Sequence, residues 1–105
     1  MRASHILLEH AMRWPPDKQK HPRSQSAAEL LMDEIKQRIQ DGESFYDLAQ
    51  MYSDCPSKAD GGDLGRFSFD QMTKAFSEAA FALEVGQLSH TVHTEFGVHL
   101  IKRTE

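Results

Sequence analysis

Two apolar, β-compatible runs stand at opposite ends of this chain, and each carries one histidine. The first covers residues 3–8, and the second covers residues 98–104 after a related segment at 88–94. Alternate side chains of a strand share a face, so His5 lies beside Leu7, and His99 beside Ile101. A chain of 105 residues buries one core rather than two. We therefore expect a single domain over residues 1–105, in which the two imidazoles meet if the terminal strands are neighbours.

Helix signals lie between these runs, and each is a serine followed three residues later by Glu, Asp or Gln. They predict a long helix, a two-turn helix and one or two short helices, beginning at Ser26, Ser44 and Ser68 and ending near residues 41, 53 and 83. Residues 54–62 are expected to be loop, and the link at residues 95–97 predicts a hairpin. The predicted fold class is α+β, with helices packed beside an antiparallel or mixed sheet.

Composition excludes several kinds of partner. A formal net charge of -4 argues against nucleic acid, because binding to phosphate backbones needs a broad basic surface. Apolar runs of four or five residues are too short to cross a membrane, and no secretory signal is recognised. The single cysteine, Cys55, cannot form an internal disulfide, which favours a reducing compartment, cytoplasmic or nuclear.

One segment of this acidic chain is basic. Residues 11–23 contain the sequence Trp14-Pro15-Pro16, which favours a loop, and one acidic residue, Asp17. Its basic residues are Arg13, Lys18, Lys20 and Arg23. Guanidinium and ammonium groups on a loop are typical phosphate ligands, so this segment is a candidate phosphate-binding site. A solvated basic loop without a ligand is the alternative.

The histidines and the cysteine allow several interpretations. His5 and His99 form either a structural pair in the core or part of a site, and no metal is expected because paired ligand spacing is missing. A cysteine hydrolase would need Cys55 as the nucleophile, but the neighbouring charge of Asp54 disfavours a thiolate. Some apolar side chains form either core or the wall of a pocket that fits a proline ring: Leu64, Phe67, Met72 and Phe76.

The order of the short motifs along the chain resembles that of the parvulin family of peptidyl-prolyl cis/trans isomerases. The resemblance covers nearly the whole chain and includes Gly61-Gly62-Asp63-Leu64-Gly65. The other matching motifs are Ala3-Ser4-His5-Ile6-Leu7-Leu8, Ser53-Asp54-Cys55-Pro56-Ser57, Gln71-Met72 with Phe76, Phe81-Ala82-Leu83, and Phe96-Gly97-Val98-His99-Leu100-Ile101.

This resemblance implies a four-stranded antiparallel sheet surrounded by about four helices. It places Cys55 near the rotating amide, above the pair formed by His5 and His99. Substrate-binding side chains are expected at Leu64, Phe67, Met72, Thr73, Phe76, Thr94 and Phe96. The implied mechanism is non-covalent stabilisation of the twisted amide in Xaa-Pro segments of proteins, and a monomer without cofactor is expected.

The resemblance is closest to the phospho-selective, Pin-type branch, without a WW domain. In that branch, basic residues after the first strand hold phosphate, whereas this chain has Glu9 there. Thr73 and Phe96 also differ from the Pin-type pattern. Arg13 with Lys18, Lys20 or Arg23 is the remaining candidate for phosphate, so we expect phospho-Ser/Thr-Pro or acidic-Pro substrates. A weakly active or inactive module that binds such segments is the alternative.

Overall fold

The computed structural model describes residues 1–10, 24–94 and 96–105. Its centre is an antiparallel sheet of four strands in the order β2-β1-β4-β3. The strands are β1 (Arg2–Leu8), β2 (Asp63–Arg66), β3 (Val92–Thr94) and β4 (Gly97–Arg103). The first and last strands pair at the centre of the sheet, so the α+β class and the four-stranded antiparallel sheet are confirmed.

The pairing register assigns side chains to two faces. His5 lies opposite Ile101 and Leu7 opposite His99, so all four share one face, because directly opposed residues point the same way. The intervening residues of β1, Ile6 and Leu8, point to the other face. That face is covered by helices α1 (Gln25–Gln40) and α2 (Phe45–Tyr52), and the histidine face packs partly on α3 (Lys74–Phe81).

The helix count differs from the expectation. The described residues contain three α-helices rather than about four, together with two short 3-10 helices at Pro56–Asp60 and Phe69–Gln71. The capping box of Ser68 is present, but it caps only a 3-10 turn. Met72 then returns to an extended conformation, and Thr73 begins α3 as a separate helix.

Two boundaries also differ. Helix α1 begins after Ser24 rather than Ser26, because the Ser24 hydroxyl accepts a hydrogen bond from the Ala27 backbone N–H at 3.0 Å. The predicted strand at residues 88–94 is a strand only from Val92 onward. Upstream of it, Leu88 forms a single β-bridge to Lys102.

Some predicted features lie outside the described residues. These are Glu95 of the hairpin and the whole basic segment, residues 11–23, with Arg13, Lys18, Lys20 and Arg23. Among the helices in the described part of the chain, none is long and apolar enough to cross a membrane.

Candidate active site

The two histidines meet on the central strands. The Nδ1 atoms of His5 and His99 lie 3.0 Å apart, and their rings stack with centroids 5.2 Å apart. Phe76 of α3 presents its ring edge-on to both imidazoles, at 5.6 and 5.4 Å between centroids. Strand pairing and helix packing thus hold three rings from distant parts of the sequence in one cluster, as expected if the terminal strands are neighbours.

Hydrogen bonding favours one pair of tautomers. A neutral imidazole carries one N–H, and the Thr94 hydroxyl oxygen lies 2.6 Å from His99 Nε2. If His5 Nδ1–H donates to His99 Nδ1, then His99 Nε2–H donates to Thr94. His5 Nε2, which is buried without a partner among the described residues, is then an acceptor atom. The reverse assignment would bury an unpaired N–H there, which costs more.

Both imidazoles are uncharged at neutral pH. Burial lowers the pKa of His5 to about 4. Burial lowers the pKa of His99 to about 3, and the neighbouring His5 adds to this effect. The floor of the site is therefore neutral and poorly suited to general acid–base chemistry near pH 7.

Cys55 is positioned by the two residues before it. The Ser53 hydroxyl, at the end of α2, accepts hydrogen bonds from the backbone N–H groups of Leu7 at 3.1 Å and Cys55 at 3.4 Å. Asp54 donates its N–H to the Leu7 carbonyl at 2.7 Å, and its carboxylate accepts the Glu9 N–H at 2.9 Å. These four bonds fix Cys55 beside the end of β1.

Glycines bring β2 close to His5. The His5 backbone N–H donates to the Gly62 carbonyl at 2.9 Å. Gly62 has φ of +87°, and a Cβ there would lie 2.2 Å from the His5 carbonyl oxygen. Only glycine permits this approach, which places Leu64, two residues further along, at the site.

A cavity of about 510 Å³ joins these groups. Eight of the residues predicted for the site line it: His5, Cys55, Leu64, Met72, Thr73, Phe76, Phe96 and His99. The other lining residues are Leu7, Glu9, Asp54, Pro56 and Gln71. Leu64, Met72 and Phe76 make one wall apolar, and Cys55 lies in the same cavity.

Two predicted site residues occupy other places. Phe67 is buried in the core, with its ring 6.1 Å from that of Phe76, and it does not line the cavity. Thr94 also lies outside the lining and contacts the site through its hydrogen bond with His99. Each therefore contacts a residue that lines the cavity, Phe67 through Phe76 and Thr94 through His99.

The sequence interpretation missed Ser53 as a site residue. Ser53 is the C-cap residue of α2, and nothing local indicates that its hydroxyl binds β1. The hydrolase alternative finds no support in the histidine pair. Each Nδ1 bonds the other ring and His99 Nε2 bonds Thr94, so within the described residues no imidazole is paired with Cys55.

Comparison with known proteins identifies the family to which this fold belongs. A family model described as rotamase, PPIC-type PPIase domain, matches residues 5–105. The chain therefore belongs to the PPIC-type peptidyl-prolyl cis/trans isomerases, the parvulins. The resemblance seen in the sequence is confirmed, and the chain is an enzyme of this class.

Its relatives include Pin1 proteins. The chain is 44% identical over 112 residues to the peptidyl-prolyl cis-trans isomerase Pin1 of Malus domestica, covering 99% of this chain and 93% of the relative. The solution structure of TbPIN1 superposes with a TM-score of 0.89 at 36% identity, covering 100% and 96% of the two chains. The crystal structure of PrsA from Bacillus subtilis superposes with a TM-score of 0.78 at 39% identity, but this chain spans only 34% of the PrsA chain.

Proposed function

We propose that the cavity isomerises Xaa-Pro bonds without covalent chemistry, and that phospho-Ser/Thr-Pro or acidic-Pro segments are the preferred substrates. The mechanism is supported by one observation: an apolar wall, Cys55 and the uncharged histidine pair line the same cavity. Leu64, Met72 and Phe76 supply this wall.

The barrier sets how much the site must supply. Rotation about a peptide bond costs about 18–20 kcal/mol, because the planar amide loses resonance when it twists. A 10⁴-fold acceleration requires stabilising the twisted form by roughly 5.5 kcal/mol more than the planar form. This is within reach of non-covalent contacts, so no nucleophilic step is needed.

Each part of the site has a role in this mechanism. The apolar wall holds the proline ring and leaves the residue before it free to rotate. The Cys55 thiol is a weak hydrogen-bond donor near the carbonyl that moves. The neutral histidine pair gives a rigid floor without a charge that would stabilise the planar, more dipolar amide.

The phosphate preference rests on the basic segment. Glu9, which lines the cavity, lies two residues before the start of residues 11–23 in the sequence. We propose that Arg13 with Lys18, Lys20 or Arg23 binds a phosphate on the residue before proline. Cytoplasmic or nuclear localisation and a monomeric state remain predictions from the sequence.

A second candidate preference follows from Glu9 and Asp54. Both residues line the cavity, and carboxylates oppose a dianionic phosphate. They favour Xaa-Pro segments without phosphate.

The test compares three peptides that differ only before the proline, with Ser, phosphoserine or Glu. Exchange between cis and trans forms is measured by NMR with catalytic amounts of protein. We expect the fastest exchange for phosphoserine, selectively reduced by Arg13→Gln and raised by Glu9→Lys, with Lys36→Gln on α1 as a neutral control. Equal or faster exchange for the Ser peptide would contradict the phosphate preference.

A further inference from the structure

A row of aromatic rings leads from the cavity to the protein surface. Phe76 lines the cavity, and the ring of buried Phe67 lies 6.1 Å from it. Phe81 follows at 6.0 Å from Phe67, and Phe69 at 5.5 Å from Phe81, both as edge-to-face pairs. These separations place the Phe69 ring within about 18 Å of Phe76.

The last two rings of this row are exposed although their backbone is fixed. Phe69 is 42% exposed and Phe81 37%. The Ser77 hydroxyl donates to the Phe69 carbonyl at 2.6 Å, and the capping box of Ser68 and Gln71 holds the 3-10 helix that carries Phe69. Phe69 is thus presented to solvent by a rigid turn, in an arrangement that suits contact with an apolar group.

The same turn forms part of the cavity. Gln71 ends the 3-10 helix and lines the cavity, and Met72 follows it in the proposed proline wall. The exposed ring of Phe69 therefore lies on the same 3-10 helix as the cavity residue Gln71. Cys55 and Glu9 line the cavity at the end of β1, where the proposed function places the residue before proline.

We propose that Phe69 and Phe81 bind an apolar or aromatic side chain of the substrate itself, within about five residues after the proline. This rests on the proposed function, since a substrate whose preceding residue lies toward Cys55 leaves the cavity past Gln71 and Met72. An extended chain covers about 3.3–3.6 Å per residue, so five residues span the distance to Phe69. The aromatic pair then selects among Xaa-Pro sites by the sequence that follows them.

The test uses peptides with one Xaa-Pro bond followed by five alanines, in which phenylalanine replaces each alanine in turn. We expect phenylalanine at one or two of the last positions to raise kcat/KM about threefold to tenfold, the effect of one aromatic contact. Phe69→Ala should abolish this gain and leave the all-alanine peptide unchanged. Phe69→Leu should retain part of it.

Leu30→Ala is the matched control, because Leu30 is an exposed apolar residue on α1, a helix that packs on the other face of the sheet. Thermal unfolding of each variant shows whether it is folded. A gain that persists in Phe69→Ala, or no gain at any position, would overturn the proposal.

The proposed function is tested separately within the same experiment. No exchange on the all-alanine peptide would contradict catalysis, whatever Phe69 does. In that case NMR titration with the phenylalanine peptides decides the docking proposal. Shifts at Phe69 and Phe81 that the all-alanine peptide does not cause would support it, and their absence would overturn it.

Discussion

Acidification is expected to destabilise this protein through the histidine pair. Burial lowers the pKa of His5 to about 4 and that of His99 to about 3, whereas an unfolded chain has histidine pKa values near 6.5. Below pH 6.5 the unfolded state therefore binds protons that the folded state does not. Stability must fall as the pH drops from 6.5 toward 4, and above 6.5 the pair contributes no pH dependence.

The size of the effect follows from these values. One pKa unit corresponds to about 1.36 kcal/mol, so at pH 5 each buried histidine lowers the free energy of unfolding by roughly 2 kcal/mol. The pair together costs roughly 4 kcal/mol relative to pH 7. A small domain has only about 5–15 kcal/mol of stability, so the loss is large enough to measure.

The assay is urea unfolding of the wild type between pH 4.5 and 8, compared with a variant in which both histidines are glutamine. The variant should lose most of the slope below pH 6.5. His90→Gln, which removes an exposed histidine, should keep it. NMR titration of the imidazole nitrogens in the native wild type tests the cause without a variant. A ring of His5 or His99 that titrates near pH 6.5 while the protein remains folded would refute the reasoning.

Four substitutions test other parts of the account. Gly62→Ala should lower the free energy of unfolding in urea by about 3 kcal/mol or more, because Gly62 has a positive φ and a Cβ there clashes with His5. Gly65→Ala should lower it by about 1–2 kcal/mol, because Gly65 has φ of +71° but open space for a Cβ. Equal costs would contradict the close approach of Gly62 to His5. Ser53→Ala should lower the free energy of unfolding by about 1–3 kcal/mol, because it leaves the buried Leu7 N–H unpaired. It should also lower kcat more than it raises KM. Unchanged stability would contradict the role of Ser53 in holding β1. Met72→Ala should lower kcat/KM for any Xaa-Pro peptide about tenfold or more with little loss of stability, since it removes part of the apolar wall proposed to hold the proline. An unchanged kcat/KM would mean that the proline binds elsewhere.

Much of the fold follows from local signals in the sequence. Short apolar, β-compatible runs predict the terminal strands, and Ser44 caps α2 as its pattern predicts. Boundaries were less predictable where two signals compete. Ser24 and Ser26 both offer a capping hydroxyl, and the helix begins after Ser24.

The sequence predicted the residues that line the cavity better than the residues that support the lining from behind. Leu64, Met72 and Phe76 were identified through the resemblance, and the cavity contains all three. Phe67 was expected beside them, but alternation along its short segment cannot distinguish a pocket wall from core. The role of Ser53 depends on a bond to β1, 46 residues away in the sequence, which no local pattern encodes.

The most direct test of the central claim is to map a bound proline peptide on this protein by NMR while measuring its cis/trans exchange. The account predicts exchange at catalytic protein concentrations, together with shifts at Cys55, Leu64, Met72 and Phe76. A second groove lies between α3 and residues 87–93. Exchange with shifts confined to that groove, or binding at the cavity without any exchange, would contradict the central claim.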